Sequence, residues 1–256
     1  MMTTLSDTEI KDKMTNNGLI IGGDFSHIGP ACYELRMGPI YYDLTEGEHP
    51  IDVSEIGNIL IKPGHRVVLI TLESLKIPTN IIARVISKGS LFSIGLSPVS
   101  TIADPGFEGN LGIVTQNLSD KYIEIPIGEH IAKVDFSLLS SASENPYRGQ
   151  HGFQTQIWPI KHQLQKTFDD MKNDPRVESE EEEAFKILPR ATVSVLRSLQ
   201  RKQRMIDVSI LFALILNTFL LAALSTNFID TTIAVIINLV SAAIVGVFIW
   251  VCKYKE

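Results

Sequence analysis

Ala103-Asp104-Pro105-Gly106-Phe107-Glu108-Gly109-Asn110 places an acid, a Pro-Gly pair, an aromatic and a second glycine within one short stretch. Proline at the second turn position sets φ, and glycine at the third supplies a positive φ. Asp104 to Phe107 therefore predicts a tight type II turn. Apolar β-type runs flank it, Gly95 to Ile102 before and Leu111 to Gln116 after, which predicts a hairpin. Gly109 allows a close approach of backbone or ligand. A carboxylate and an aromatic on a rigid turn suit a flat, polar ring. A plain hairpin with Asp104 as its cap has the same composition.

Upstream, Ser6-Asp7-Thr8-Glu9 is a capping box that predicts a short helix toward Met14, ended by Asn16-Asn17-Gly18. Leu19 to Ile21 reads as a short strand. From Ile51 to Leu139, apolar runs recur between turn signals: Pro63-Gly64 before Arg66 to Thr71, Pro78-Thr79-Asn80 before Ile81 to Ser87, and Pro126 to Gly128 before His130 to Leu138. Short, evenly spaced strands with almost no helix predict a mainly β fold, a sandwich or distorted barrel.

Several segments resemble the dCTP deaminase/trimeric dUTPase superfamily over roughly residues 5 to 158. The turn matches the family's Ile-Asp-Pro-Gly-Phe/Trp-x-Gly, with Ala103 in place of Ile. Ser87-Lys88-Gly89-Ser90-Leu91-Phe92-Ser93-Ile94-Gly95-Leu96 is similar to Gly-Arg-Ser-Ser-Leu-Ala-Arg-Leu-Gly-Leu. Pro30 to Gly38 resembles Pro-Ala-Ser-x-Asp-Leu-Arg-Leu-Gly, Ile127 to Lys133 resembles Pro-Gly-x-x-Ile-x-Gln, and Arg148 to Phe153 resembles the Arg-Gly-x-x-Gly-Phe tail of dUTPases. The resemblance implies a jelly-roll-like distorted barrel, a homotrimer, and a dUTP- or dCTP-like ligand carried with Mg2+.

It also implies roles. Asp104 would orient a water if the site is active, and Phe107 would pack on deoxyribose. Lys88, Ser90, Gly109, Arg148 and Gly152 would line the nucleotide, and Phe153 would stack on its base. Glu34, where the family has Asp, would stand near the triphosphate and its magnesium. The deaminases carry a proton-moving Glu in Gly-x-Ile-x-Leu-Glu; here that position is Val114, which moves no proton. Gly89 and Ser93 replace a Ser and an Arg of the phosphate segment. Three polar groups are missing together, which argues against dCTP deamination by that route.

After Trp158 the character changes. Lys161 to Lys172 predicts a polar helix, broken at Asn173-Asp174-Pro175. Glu178 to Glu183 reads as a solvated acidic run, and Ala184 to Arg204 as a helix kinked at Pro189. Val208 to Ser225 and Thr232 to Cys252 then lack charged residues and are each long enough for a membrane core of roughly 30 Å. Arg197, Arg201, Lys202 and Arg204 precede the first run; Lys253 and Lys255 follow the second. The positive-inside bias predicts two spans in the plasma or inner membrane with both termini cytoplasmic. Asn217 and Asn238 lie at similar depth, and Ala242-x-x-x-Gly246 is a small-xxx-small pattern for helix contact. The expected parts are a nucleotide-binding domain over 1–160, a charged helical connector over 161–204, and a two-helix transmembrane hairpin over 205–256.

A net charge of −6 marks no nucleic-acid-binding surface. Met1 to Lys13 lacks the apolar core of a cleavable signal peptide. Two cysteines make no disulfide framework, and six scattered histidines, none in an HxxH or HxH pair, predict no zinc site. A nucleotide pocket with weakened catalytic groups, joined to a membrane hairpin, predicts a sensor or effector, in a setting such as prokaryotic antiviral defence. The competing class is a membrane-tethered hydrolase of pyrimidine deoxynucleotide metabolism, of dUTPase type before dCTP deaminase. A third is a structural anchor with a vestigial domain.

Overall fold

Ser6 opens the first helix as its capping box requires. Its hydroxyl accepts from the Glu9 amide, while the Glu9 carboxylate accepts from the Ser6 amide at 2.8 Å. Helix α1 (Asp7–Asn17) follows and ends at Gly18 in the left-handed region. The computed structural model describes residues 3–149, 157–226 and 229–254. The chain divides into two compact units, Met1–Lys161 and His162–Glu256.

The first unit is built of strands β1 (Thr3–Thr4), β2 (Ile20–Ile21), β3 (Ile28–Gly29), β4 (Cys32–Asp43), β5 (Pro50–Asp52), β6 (Asn58–Ile61), β7 (Arg66–Lys76), β8 (Ile81–Ser87), β9 (Ser100–Ala103), β10 (Glu108–Gln116), β11 (Ile123–Pro126) and β12 (His130–Leu138). The main sheet runs β10-β7-β4-β12-β8-β9, and β11-β6 forms a separate pair. This is the mainly β architecture that the strand pattern and the resemblance predict.

Strand β4 holds the sheet together. Its first half, Tyr33 to Arg36, pairs with β12, and its second half, from Met37 on, pairs with β7. The register slips between Met37 and Tyr41. Gly38 makes the bend possible, because a Cβ there would stand 2.9 Å from the Ile70 carbonyl oxygen. One strand thereby serves two leaves, as at the corner of a β-sandwich. Tyr33, Leu35, Met37, Val67, Leu69, Val85, Ile113, Val134 and Phe136 fill the core between them.

The Asp104 turn forms as expected: the Phe107 amide donates to the Asp104 carbonyl at 3.0 Å, and Gly106 has φ 92. It does not close a hairpin. β9 pairs with β8 and β10 pairs with β7, so the turn carries the chain from one leaf to the other. The run from Gly95 shortens for the same reason: only Ser100–Ala103 is strand, after a short helix α2 (Gly89–Ser93).

In the second unit, only a 3-10 turn (His162–Leu164) and helix α3 (Phe168–Met171) form in the expected polar helix. Helix α4 (Glu180–Ile187) is capped by Ser179. Pro189 is no kink: it is the N-cap of α5 (Arg190–Ser225), where its missing N–H costs nothing. The acidic run is not merely solvated either. Glu182 pairs with Arg197 at 2.9 Å, Glu181 accepts from Gln200 at 2.8 Å, and Arg197 lies over the Phe185 ring. Helix α5 is long and apolar enough to cross a membrane; in the helix that follows, α6 (Thr231–Tyr254), the apolar stretch Thr231–Val247 is shorter. Among the described residues, one helix of spanning length therefore stands where two spans are expected.

Candidate functional site

The outer face of β4, β12 and the end of β8 carries a cluster of charge. Glu34 and Lys133 are register partners across β4 and β12. Lys88 follows β8 directly. Glu34 faces Lys88 Nζ at 3.3 Å, Lys133 Nζ at 3.4 Å and His130 Nδ1 at 3.3 Å. Partial burial raises the Glu34 pKa, but Lys88 first, then His130 and Lys133, more than offset this and hold it below the usual carboxylate value. Two lysines against one carboxylate leave the cluster with a positive excess. Gly89, next to Lys88, has nothing within 4 Å of where a Cβ would stand, so the space beside the lysine is open. Ser90 is exposed on α2, and its carbonyl accepts from the Ser93 hydroxyl at 2.6 Å.

Behind this cluster lies a buried network. The Glu73 side chain is wholly buried. It accepts from Arg36 Nε at 2.6 Å, from the Arg36 amide at 2.9 Å and from the Tyr33 hydroxyl at 3.2 Å. Tyr33 in turn accepts from the Asp24 amide at 3.1 Å. Burial, above all, pushes the Tyr33 hydroxyl up to about 12. The network pins the 3-10 turn Phe25–His27 onto β4 and β7.

The second group of predicted residues surrounds the Asp104 turn. Asp104 is exposed, and Gly109 is half-buried with φ 140. Phe107 is only 7% exposed; it packs into the core and against Tyr147, with ring centroids 5.7 Å apart. The Tyr147 amide donates to the Pro105 carbonyl at 2.7 Å, which sets exposed Arg148 just beyond the turn. Gly152 and Phe153 lie outside the described residues. Val114 points away from the core on β10 and is 46% exposed. Beside it, Trp158 covers Gly112, where a Cβ would come within 2.3 Å of the indole.

One chain does not bring the two groups together. The Ser87 amide donates to the Val99 carbonyl beside Lys88, and Ala103 pairs with Ala83 at the other end of β8. The steps from Val99 to Asp104 span about 17 Å at roughly 3.3 Å per residue.

Sequence spacing gave no hint of His27 or Glu73, and the motif from Ile127 to Lys133 did not show that His130 and Lys133 face Glu34. His27 and His130 meet at 2.8 Å although a hundred residues separate them. Asp43, Glu46 and His65 also approach one another, with His65 bonded to Asp43 at 2.8 Å and Glu46 to Lys62. In the second unit, Asn217 and Asn238 line one cavity of about 430 Å3 between α5 and α6, and the Asn217 Oδ1 is buried without a hydrogen bond. Ala242 and Gly246 are exposed.

The family model for dCTP deaminase-like domains matches residues 4–139, the whole stretch from β1 to the end of β12. The chain belongs to that family. Among curated relatives it is 32% identical over 137 residues to a dCTP deaminase of Thermococcus gammatolerans, covering 54% of this chain and 85% of that protein. It is 28% identical over 166 residues to a dUMP-forming dCTP deaminase of Methanosphaera stadtmanae, covering 57% and 84%. Among solved structures, the dCTP deaminase of Agrobacterium tumefaciens aligns with a TM-score of 0.47 at 17% identity, over 54% of this chain and 49% of that one. The family match ends before the helices of the second unit.

Proposed function

We propose that this family member is a membrane-anchored sensor or effector that binds a pyrimidine deoxynucleoside triphosphate and does not deaminate it. The observation that carries this is the cluster of Lys88, Lys133 and His130 around Glu34, with its positive excess and open space at Gly89. Such a site attracts a polyphosphate. The residue in the position of the deaminases' proton-moving Glu is Val114, an aliphatic on the outer face of β10.

Asp104, and Arg148 just beyond its turn, would complete the site from a neighbouring copy, since in one chain the backbone from Val99, beside Lys88, to Asp104 spans about 17 Å. That supports a homotrimer. Glu34 does not fit as a direct magnesium ligand, because three cationic or imidazole groups already occupy its oxygens. Mg2+ would arrive with the triphosphate, and its chemistry is to neutralise phosphate charge. The apolar length of α5 and the basic residues before its apolar part support a membrane anchor; both termini cytoplasmic follows only if the shorter apolar stretch of α6 crosses back. Antiviral defence is the setting in which a nucleotide-gated membrane effector has an evident use.

The test is a nucleotide screen of the purified full chain, reading binding by thermal shift and products by chromatography. Binding without conversion of dCTP to dUTP is expected. Formation of dUTP that disappears in Asp104→Ala would replace the sensor with the enzyme; magnesium-dependent pyrophosphate release from dUTP would identify it as a hydrolase of dUTPase type.

A further inference from the structure

His27 ends a 3-10 turn and His130 opens β12. Their rings stand edge-on, with centroids 4.8 Å apart, and His27 Nδ1 lies 2.8 Å from His130 Nε2. The other nitrogen of His130 faces Glu34 at 3.3 Å, and Glu34 is shared with Lys88 and Lys133. We propose that His27 and His130 form a proton-linked arm of the Lys88–Lys133 cluster, which binds the phosphate groups of a polyphosphate ligand more tightly as pH falls. This rests on the polyphosphate site described under the proposed function and adds its regulation.

The hydrogen bonds dictate how the arm would work. The Glu34 carboxylate has no proton to donate and lies 3.3 Å from His130 Nδ1, so its charge favours a proton on that nitrogen. Neutral His130 then has a bare Nε2, which accepts from His27 Nδ1–H. One added proton enters at His27 Nε2, and the His27 Nδ1 proton passes to His130 Nε2. His130 becomes an imidazolium and His27 becomes the Nε2–H tautomer. The contact with Glu34 and the imidazole–imidazole bond both persist, so charge is gained without breaking the network. Imidazoles change charge between about pH 5 and 8.

The surroundings set the sign. Lys88 and Lys133 oppose a third positive charge, and Glu34 favours it. Asp24 favours a charge on His27, with which it interacts electrostatically. Arg36, the register partner of His130, is neutralised by Glu73, and Tyr33 packs edge-on to His27 as a neutral phenol. A bound phosphate anion removes the repulsion from the lysines. Proton and anion therefore raise each other's affinity, as linkage requires. Lys88, Glu34 and His130 side chains are 19%, 24% and 28% exposed, sheltered yet reachable.

The experiment is calorimetric titration of the detergent-solubilised full chain with inorganic tripolyphosphate, and separately with dUTP, at pH 5.8 and 8.0 in EDTA. Buffers of differing ionisation enthalpy report proton uptake. At pH 5.8 wild type should bind tripolyphosphate about tenfold more tightly than His130→Gln or His27→Gln; at pH 8.0 the difference should fall below about twofold. Near pH 6.5 wild type should take up about half a proton more per ligand than either variant, the uptake linked to a roughly tenfold effect. His27→Gln guards against misfolding of the more buried His130 variant. An unchanged wild-type-to-variant ratio across pH, or equal proton uptake, overturns the inference while leaving nucleotide binding intact. Tripolyphosphate binding with the histidine dependence, but no binding of any nucleotide, supports the arm and removes the nucleotide assignment. Absence of binding by both probes overturns both.

Discussion

Glu73 shows how much one buried residue can hold. Its carboxylate takes three hydrogen bonds, two from Arg36 and one from Tyr33, with no exposed surface. Glu73→Ala strands the Arg36 guanidinium and should cost about 3 kcal/mol in urea denaturation. Tyr33 sets an alkaline limit. Its folded pKa of about 12 lies above the ordinary phenol value of 10.0, so the folded state retains a proton that the unfolded chain has released. The stability this contributes is complete below about pH 10 and is lost as pH rises through about 12. Denaturation midpoints should fall over that window in wild type and fall less steeply in Tyr33→Phe. Glu34 works in the opposite direction: its lowered pKa gives stability that is present above the usual carboxylate range and lost on acidification.

At the scale of elements, two contacts, one within each unit, form in ways that composition does not show. Trp158 lies on Gly112 and packs against Tyr42, with ring centroids 5.7 Å apart. Gly112→Val removes its seat. The indole should move into solvent, giving a red-shifted fluorescence maximum and a stability loss of about 1–3 kcal/mol. Helix α4 lies along the basic start of α5 through Glu182–Arg197, an exposed pair at 2.9 Å. Exposed pairs contribute about 0.2–1 kcal/mol and are screened by salt. Glu182→Gln should therefore leave global stability nearly unchanged and show its effect only at low ionic strength.

For the whole molecule, the separation of Lys88 from Asp104 makes assembly the central question. The domain cut near Lys161 should behave as a soluble homotrimer by light scattering; a monomer would remove the completed site. A trimer would gather three α5–α6 hairpins, so weak contacts at Asn217, Asn238 and Ala242-x-x-x-Gly246 would act at high effective concentration. The unpartnered Asn217 Oδ1 is a ready acceptor for such a contact. A nucleotide shifts this assembly only by binding two arrangements unequally. Expression with the bound nucleotide should permit dye entry into cells, and Asp104→Ala or removal of Val208 to Glu256 should prevent it. A soluble truncation that keeps the full biological effect would reduce the helices to an anchor.

Local chemistry was legible in the sequence. The Ser6 capping box, the Gly106 turn, the strand period and the apolar run of α5 depend on neighbours within a few residues, and each appears as its residues dictate. The order of motifs was enough to reach the family. What pairs with what was not legible, because strand pairing is decided by burial between leaves rather than by adjacency. The Asp104 turn therefore joins two leaves instead of closing a hairpin. The same register of β4 against β12 places Lys133 and His130 around Glu34. His130 and Lys133 are three residues apart, a spacing that regular alternation would send to opposite faces; the irregularity in register between His130 and Ala132 lets both reach Glu34.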